Sequence, residues 1–359
     1  MKVKKMNNFS EKILKPFATN FFILFFFIVL IELIFGYWFD KDNLGPYMRE
    51  HRMKNQPSTY TYEGKTTKYN YKRNYYGFRG DDIEPSEIQA IIMGGSVIDE
   101  RYKPDQFTIT GYLNKNLEKN NYDLKIINAG IEAQSSVGMI FNFRNWFPKL
   151  KNFSPKIILF YIGVNDIHHN ENTTVENLTA ESDGLGHIIN PEKIELFFDN
   201  IKSRSFLYDT ARIFKYKYLP RKNFVKYDGN ISADRNNNKF ITYEKAIEKY
   251  DISELKIKHK KTMKNYSDRI DILYEEAKKL NSKPIFITTL GALGYTEIMF
   301  MLNHTLINHC KIKKYNCIDT AKKMKSKISY WRGSVHTTKK GSEAIANLIT
   351  EDLLKFIEK

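Results

Sequence analysis

The stretch Ile88–Glu100 reads IQAIIMGGSVIDE, a short apolar run that stops at two glycines and a serine. An apolar run of this length without alternation marks a strand covered on both faces, here Ile88–Met93. Gly94-Gly95 then make a tight turn that exposes the hydroxyl of Ser96. The same grammar returns along the chain. Leu124–Asn128 runs into Asn128-Ala129-Gly130, and Lys156–Ile162 runs into Gly163-Val164-Asn165-Asp166. Pro284–Thr288 and Cys317–Asp319 read as two further strands. Helical stretches fall between them at Thr108–Lys119, Val137–Phe147, Ser253–Leu280, Tyr295–Cys310 and Gly341–Ile357. In the last of these Ile345, Leu348, Ile349 and Phe356 share one face. Strands alternating with helices predict an α/β fold, a parallel sheet covered on both sides. Ligands of such sheets bind beyond the carboxyl ends of the strands. That rule gathers Gly94–Glu100, Asn128–Ser136, Gly163–His169 and Leu290–Gly294 into one region.

Three of the turns, with a fourth segment near the C-terminus, carry recognisable chemistry. Ser96 is placed as a nucleophile, and His336 in SVHTTKKG, just before the last helix, as the base that takes its proton. The backbone N–H groups of Ser96 and Gly130 and the side-chain amide of Asn165 are suited to hold an oxyanion.

Ser96, Gly130, Asn165 and His336, in that order, resemble the four blocks of the SGNH (GDSL-like) hydrolases. NYYGFRG at Asn74–Gly80 is similar to the lead-in of many membrane-anchored members. The resemblance covers roughly residues 74–168 and 250–356. It implies a flavodoxin-like three-layer sandwich with a central parallel sheet, and acyl-serine chemistry on an ester, without metal or organic cofactor. The two outcomes are hydrolysis and acyl transfer to a sugar hydroxyl. The family usually has an aspartate three residues before the histidine, and this chain has Gly333 there. Three readings follow: a Ser-His dyad, a supporting acid reaching in from Asp166 or Asp319, or a site kept for binding only. The serine block GGSVIDE also lacks the Thr and Gly that often follow the serine in this family.

Phe17 to Phe39 is apolar enough for a membrane span, a helix roughly 34 Å long against a hydrocarbon core of about 30 Å. Lys2, Lys4, Lys5, Lys12 and Lys15 precede it. The positive-inside bias keeps residues 1–16 cytoplasmic and sends the rest across, in what reads as a bacterial envelope. The run ends in Gly36-Tyr37-Trp38-Phe39 without a small-x-small cleavage site, which favours an uncleaved signal anchor at 17–39. Glu32 lies inside the span, read either as a protonated or snorkelling carboxyl or as a contact to another membrane protein. Residues 40–73 read as a stalk, 74–359 as the hydrolase-like domain, and about 170–252 as an insertion or lid with a helix from Glu192 to Tyr218.

Composition excludes other classes. The chain has 359 residues, 42% hydrophobic, which fits a large globular core and not a disordered chain. Two cysteines exclude a disulfide scaffold; Cys310 and Cys317 read either as one bridge or as two buried thiols. The formal charge of +16 is spread along the chain with no nucleic-acid signature, so no nucleic-acid partner is expected. No GxGxxG after a strand, P-loop or HExxH occurs. His168 and His169 read as solvated loop residues, since a metal pair would need a further ligand. The expected function is a membrane-anchored serine esterase or O-acyltransferase acting on a small-molecule or carbohydrate ester, O-acetyl in particular. Besides the ester substrate and the membrane at 17–39, a membrane acyltransferase is a candidate partner. The alternative is a non-catalytic accessory or glycan-binding protein of surface polysaccharide assembly.

Overall fold

The computed structural model describes residues 14–39, 48, 51–172, 193–219, 223–230, 240–325 and 327–357. Helix α1 (Lys15–Phe35) stands outside the globular body, with no buried residue and with the length and apolarity to cross a membrane. Strands β1 (Lys54–Tyr62) and β2 (Lys65–Arg73) form an antiparallel hairpin. They are followed by β3 (Ala90–Met93), the short helix α2 (Ser96–Asp99) and α3 (Ile109–Lys119). Then come β4 (Ile126–Asn128), α4 (Ser136–Asn145) and β5 (Ile157–Tyr161). The insertion holds α5 (Lys193–Arg204), α6 (Phe206–Tyr218) and β6 (Val225–Asp228). The chain closes with α7 (Tyr243–Lys249), α8 (Ile252–Lys258), α9 (Lys260–Lys279), β7 (Lys283–Ile287), α10 (Glu297–Lys313), β8 (Asn316–Ile318), α11 (Thr320–Lys323) and α12 (Lys339–Leu353).

The central sheet is five-stranded and parallel, in the order β4-β3-β5-β7-β8. Counted from β3 this is 2-1-3-4-5, the flavodoxin-like winding, with its switch point between β3 and β5. Every residue of β3, β4 and β5 is buried, as continuous apolar strands require. Helix α3 packs on α12 over one face, while α4, α9 and α10 pack side by side over the other. The result is the expected three-layer sandwich.

Three local expectations need correction. Residues 54–73, read as stalk, form the β1–β2 hairpin and belong to the body. Glu63 and Gly64 make its two-residue turn with φ of 47° and 76°, a pair of left-handed residues that twists correctly for a hairpin. The helix expected over Glu192–Tyr218 is two helices, because Ser205 stops α5 and caps α6 through the Tyr208 N–H. Ser253–Leu280 is likewise split, at His259. In the insertion, β6 joins β1 in parallel and completes a small three-stranded sheet. Cys310 and Cys317 are joined in a disulfide between α10 and β8. The parts of the 40–73 and 170–252 readings that fall at 40–47, 49–50, 173–192, 220–222 and 231–239 lie outside the described residues.

Candidate active site

Ser96 is the first residue of α2, directly beyond the carboxyl end of β3. Gly95 before it leaves no room for a side chain: a β-carbon there would sit 2.0 Å from Asn165 Nδ2. The glycine therefore lets the Asn165 amide, at the end of β5, close on the serine turn. Asn165 Nδ2 gives one hydrogen to the Gln134 carbonyl at 2.8 Å, and its second hydrogen remains for another acceptor. His336 reaches the same spot from the loop before α12, with Nε2 2.9 Å from Ser96 Oγ. The three residues read from separate motifs are thus brought together at the sheet's switch point.

Burial, reinforced by the Arg332 guanidinium, lowers the His336 imidazole to about 4. It is neutral at neutral pH and can accept a proton at Nε2. The ring stands edge to face with Tyr102, centroids 5.2 Å apart. Its other nitrogen looks toward residue 333, where a β-carbon would lie 3.7 Å from Nδ1. The position of the missing aspartate is therefore the right place in space, occupied by glycine.

The remaining candidates have other partners. Gly130 packs against Ile98 and Asp99, and its N–H donates to Asn128 Oδ1 at 3.0 Å. Asp166 is buried among Ser136, Gly163 and Arg269. It accepts from Ser136 Oγ, from Gly163 N–H at 3.2 Å and from Arg269 Nη2 at 3.4 Å. Asp319 caps α11 and accepts from Thr288 Oγ1 at 3.0 Å. No hydrogen bond between either carboxylate and His336 occurs among the described residues. His168 is exposed as expected, but His169 is buried, with Nε2 2.8 Å from Ser135 Oγ. No cluster of metal-ligating side chains occurs among the described residues.

Two networks escaped the sequence reading. Asp99, in the turn of α2, accepts from Arg73 Nη1 at 2.9 Å and Tyr71 OH at 2.8 Å. Burial alone would raise its carboxyl; Arg73, Arg79 and Arg101 overcome this and hold it low. Arg73 also reaches the Gly130 carbonyl at 2.7 Å, and Arg79 of the GFRG lead-in binds the Asp99 and Lys103 carbonyls. Beneath His336, Glu100 and Lys103 form a fully buried ion pair at 2.5 Å. Glu100 Oε1 accepts from Thr337 Oγ1 at 2.9 Å and Ser342 Oγ at 2.7 Å, and Lys103 Nζ donates to the Thr337 carbonyl at 3.1 Å. A signal existed in the two ionisable residues so close behind the serine, but spacing alone does not say what they pair with.

No family model matches the chain, and no curated protein matches it significantly. Among solved structures it is similar to TesA, with 9% identity and a TM-score of 0.42 over 75% of this chain and 99% of that one. A putative acylhydrolase from Bacteroides fragilis gives 17% identity and a TM-score of 0.39 over 77% and 92% of the two chains. A variant of an acetyl xylan esterase from Geobacillus stearothermophilus gives 12% and 0.42 over 76% and 98%.

Proposed function

We propose that the chain is a serine esterase or O-acyltransferase of the SGNH type. We place it on the outer side of a membrane that α1 crosses, with its N-terminus in the cytoplasm. The observation that carries the chemistry is the 2.9 Å approach of His336 Nε2 to Ser96 Oγ beside the Asn165 amide. In the first half-reaction Ser96 Oγ attacks the ester carbonyl as His336 takes its proton. The Ser96 N–H and the Asn165 amide hold the oxyanion, and the Gly130 N–H joins them by exchanging Asn128 for substrate. The C–O bond then breaks, and His336 returns the proton to the leaving alkoxide. Water or a sugar hydroxyl attacks the acyl-Ser96 ester in the second half. We take the ester to be an O-acetyl group on a carbohydrate, because the exposed α1 would fix the site beside envelope glycans. A membrane acyltransferase supplying the acyl group is the partner for the transfer branch.

We assign Asp166 to bracing the third motif and leave Ser96 and His336 as a dyad. Gly333 favours a second reading, a non-catalytic accessory that binds glycan. The full chain in detergent, tested with p-nitrophenyl acetate and a fluorophosphonate probe, decides between them. The wild type should hydrolyse the ester and take the probe. Ser96→Ala should lower turnover by at least about 10³-fold and abolish labelling. A folded wild-type chain that neither turns over nor labels leaves the accessory reading.

A further inference from the structure

Helix α6 is inside out for a surface helix of a water-soluble body. Leu207, Ala211, Phe214 and Tyr218 recur at helical spacing on one face, and all four are exposed. The opposite face turns two charged side chains inward: Asp209 is buried in an ion pair with Arg52 at 2.6 Å, and Arg212 Nη2 donates to the Arg52 carbonyl at 3.2 Å. Phe197 and Phe198 of the preceding helix α5 are also exposed. The unburied stripe on α6 therefore needs an apolar cover.

The same helix is fastened to the apolar helix α1. Glu32, near the end of α1, caps α6: its carboxylate accepts from Ser205 Oγ at 2.6 Å, Phe206 N–H at 3.0 Å and Leu207 N–H at 3.1 Å. Trp38 Nε1 donates to the same carboxylate at 3.2 Å, and the Tyr37 N–H donates to the Arg204 carbonyl at 2.8 Å. Phe35 and Phe206 pack with tilted rings, centroids 5.4 Å apart. The α5–α6 corner thus clasps the end of α1 at the point where Tyr37 and Trp38 would mark the rim of a bilayer.

We infer that α6, with the exposed Phe197 and Phe198 of α5, lies in the membrane interface as a second, in-plane contact that Glu32 ties to the span. The occupant of the stripe is lipid. Continuity with α1 argues for it, and so do Lys215 and Lys217, exposed on α6, which suit anionic headgroups. Glu32 is then neither a stray charge nor a docking point for another protein; it is the joint that sets the height and tilt of the body above the bilayer. The inference rests on the reading that α1 spans the membrane, and its test separates the two.

The test uses the full chain in nanodiscs of phosphatidylcholine and phosphatidylglycerol holding one copy each. Single cysteines at Phe214, Tyr218, Phe26 and Glu343 would carry an environment-sensitive fluorophore, the two native cysteines being joined to each other. Labels at 214 and 218 should show blue-shifted emission and loss of quenching by aqueous iodide, as the label at 26 should, while 343 on α12 stays quenched. If 214 and 218 quench like 343 while 26 is protected, the inference falls and the span stands. If 26 is quenched too, both fall. Protection at 214 only in discs with two copies would mean that a second chain covers the stripe, which also overturns it. Adding Glu32→Ala should return 214 toward water with 26 unchanged; continued protection at 214 would remove Glu32 as the tie.

Discussion

The serine and the histidine of the candidate pair come from opposite ends of the chain, and the two sides are braced in different ways. On the serine side, the turn after β3 is gripped by charge. Asp99 draws Arg73, Arg79 and Arg101 around it, and Arg73 carries the grip across to Gly130. On the histidine side, the backbone is clamped just past the ring. Thr337 and Ser342 bind Glu100, and Lys103 binds the Thr337 carbonyl. The imidazole itself pairs with the serine hydroxyl and stands against the edge of the Tyr102 ring. A triad aspartate normally does two jobs together, orienting the imidazole and stabilising its cation. We propose that the first job falls here to the buried Glu100–Lys103 pair next to Thr337; for the second, Glu100 favours the imidazolium from a distance, and burial with Arg332, Lys103 and Arg101 outweighs it.

That division can be broken from either side. Lys103→Met leaves Glu100 buried without its partner, and removing one member of such a pair costs about 3–5 kcal/mol. Thermal melting of the full chain in detergent should register the loss. Replacing both members, Glu100→Leu with Lys103→Met, should recover most of the stability, since apolar isosteres often match a buried pair. It should not recover turnover, because Thr337 would lose its bonds to Glu100 and Lys103. A double variant with wild-type kcat would show that the clamp has nothing to do with His336.

A somewhat smaller effect is expected on the serine side. Asn165→Ala removes one oxyanion donor and should lower kcat by about 10²–10³-fold, or roughly 2.7–4 kcal/mol. Asn165 is only half-buried, so the melting temperature should barely move. Covalent labelling of Ser96 by the fluorophosphonate should persist at a reduced rate. Unchanged kcat would mean that Asn165 serves the Gly95 turn and not the substrate.

How much of this was legible follows from the range of each interaction. The central sheet could be read because β3, β4, β5 and β7 are buried apolar runs and the turns after the first three are marked by glycine or asparagine. Ser96, Asn165 and His336 could be read for the same reason, since strand ends of a parallel sheet converge. The hairpin was lost because β1 and β2 carry Thr, Tyr, Lys and Asn, so their alternation is of size and not of polarity; Glu63-Gly64 was the overlooked cue. Asp166 was misleading because its neighbours in sequence are catalytic in type, while its partner Arg269 comes from α9, more than a hundred residues away. Glu32 reads in sequence as a protonated or snorkelling carboxyl or as a contact to another protein, because its partner Ser205 lies far along the chain, inside an insertion whose packing no local pattern reports.

The finest test concerns charge alone. With His336 lowered to about 4, kcat/KM for p-nitrophenyl acetate should hold steady down to about pH 5 and fall near pH 4 as the base is protonated. The sign for stability is the same: the folded imidazole sits below its unfolded value, so its contribution is full above about pH 6.5 and is lost as pH falls through 4. Gly333→Asp would place a carboxylate on the side of Nδ1, where a β-carbon finds no contact closer than 3.7 Å. An opposite charge within about 4–6 Å raises such a group by about 1–3 units, so the acid limb should move up by that amount. Above the shifted limb kcat should rise, because the imidazolium formed during attack on the ester is now stabilised. If the limb moves and kcat does not, the dyad is already sufficient and glycine at 333 costs nothing. If neither moves, His336 is not the titrating base, and the contrast between its clamped backbone and its unsupported ring has no catalytic meaning.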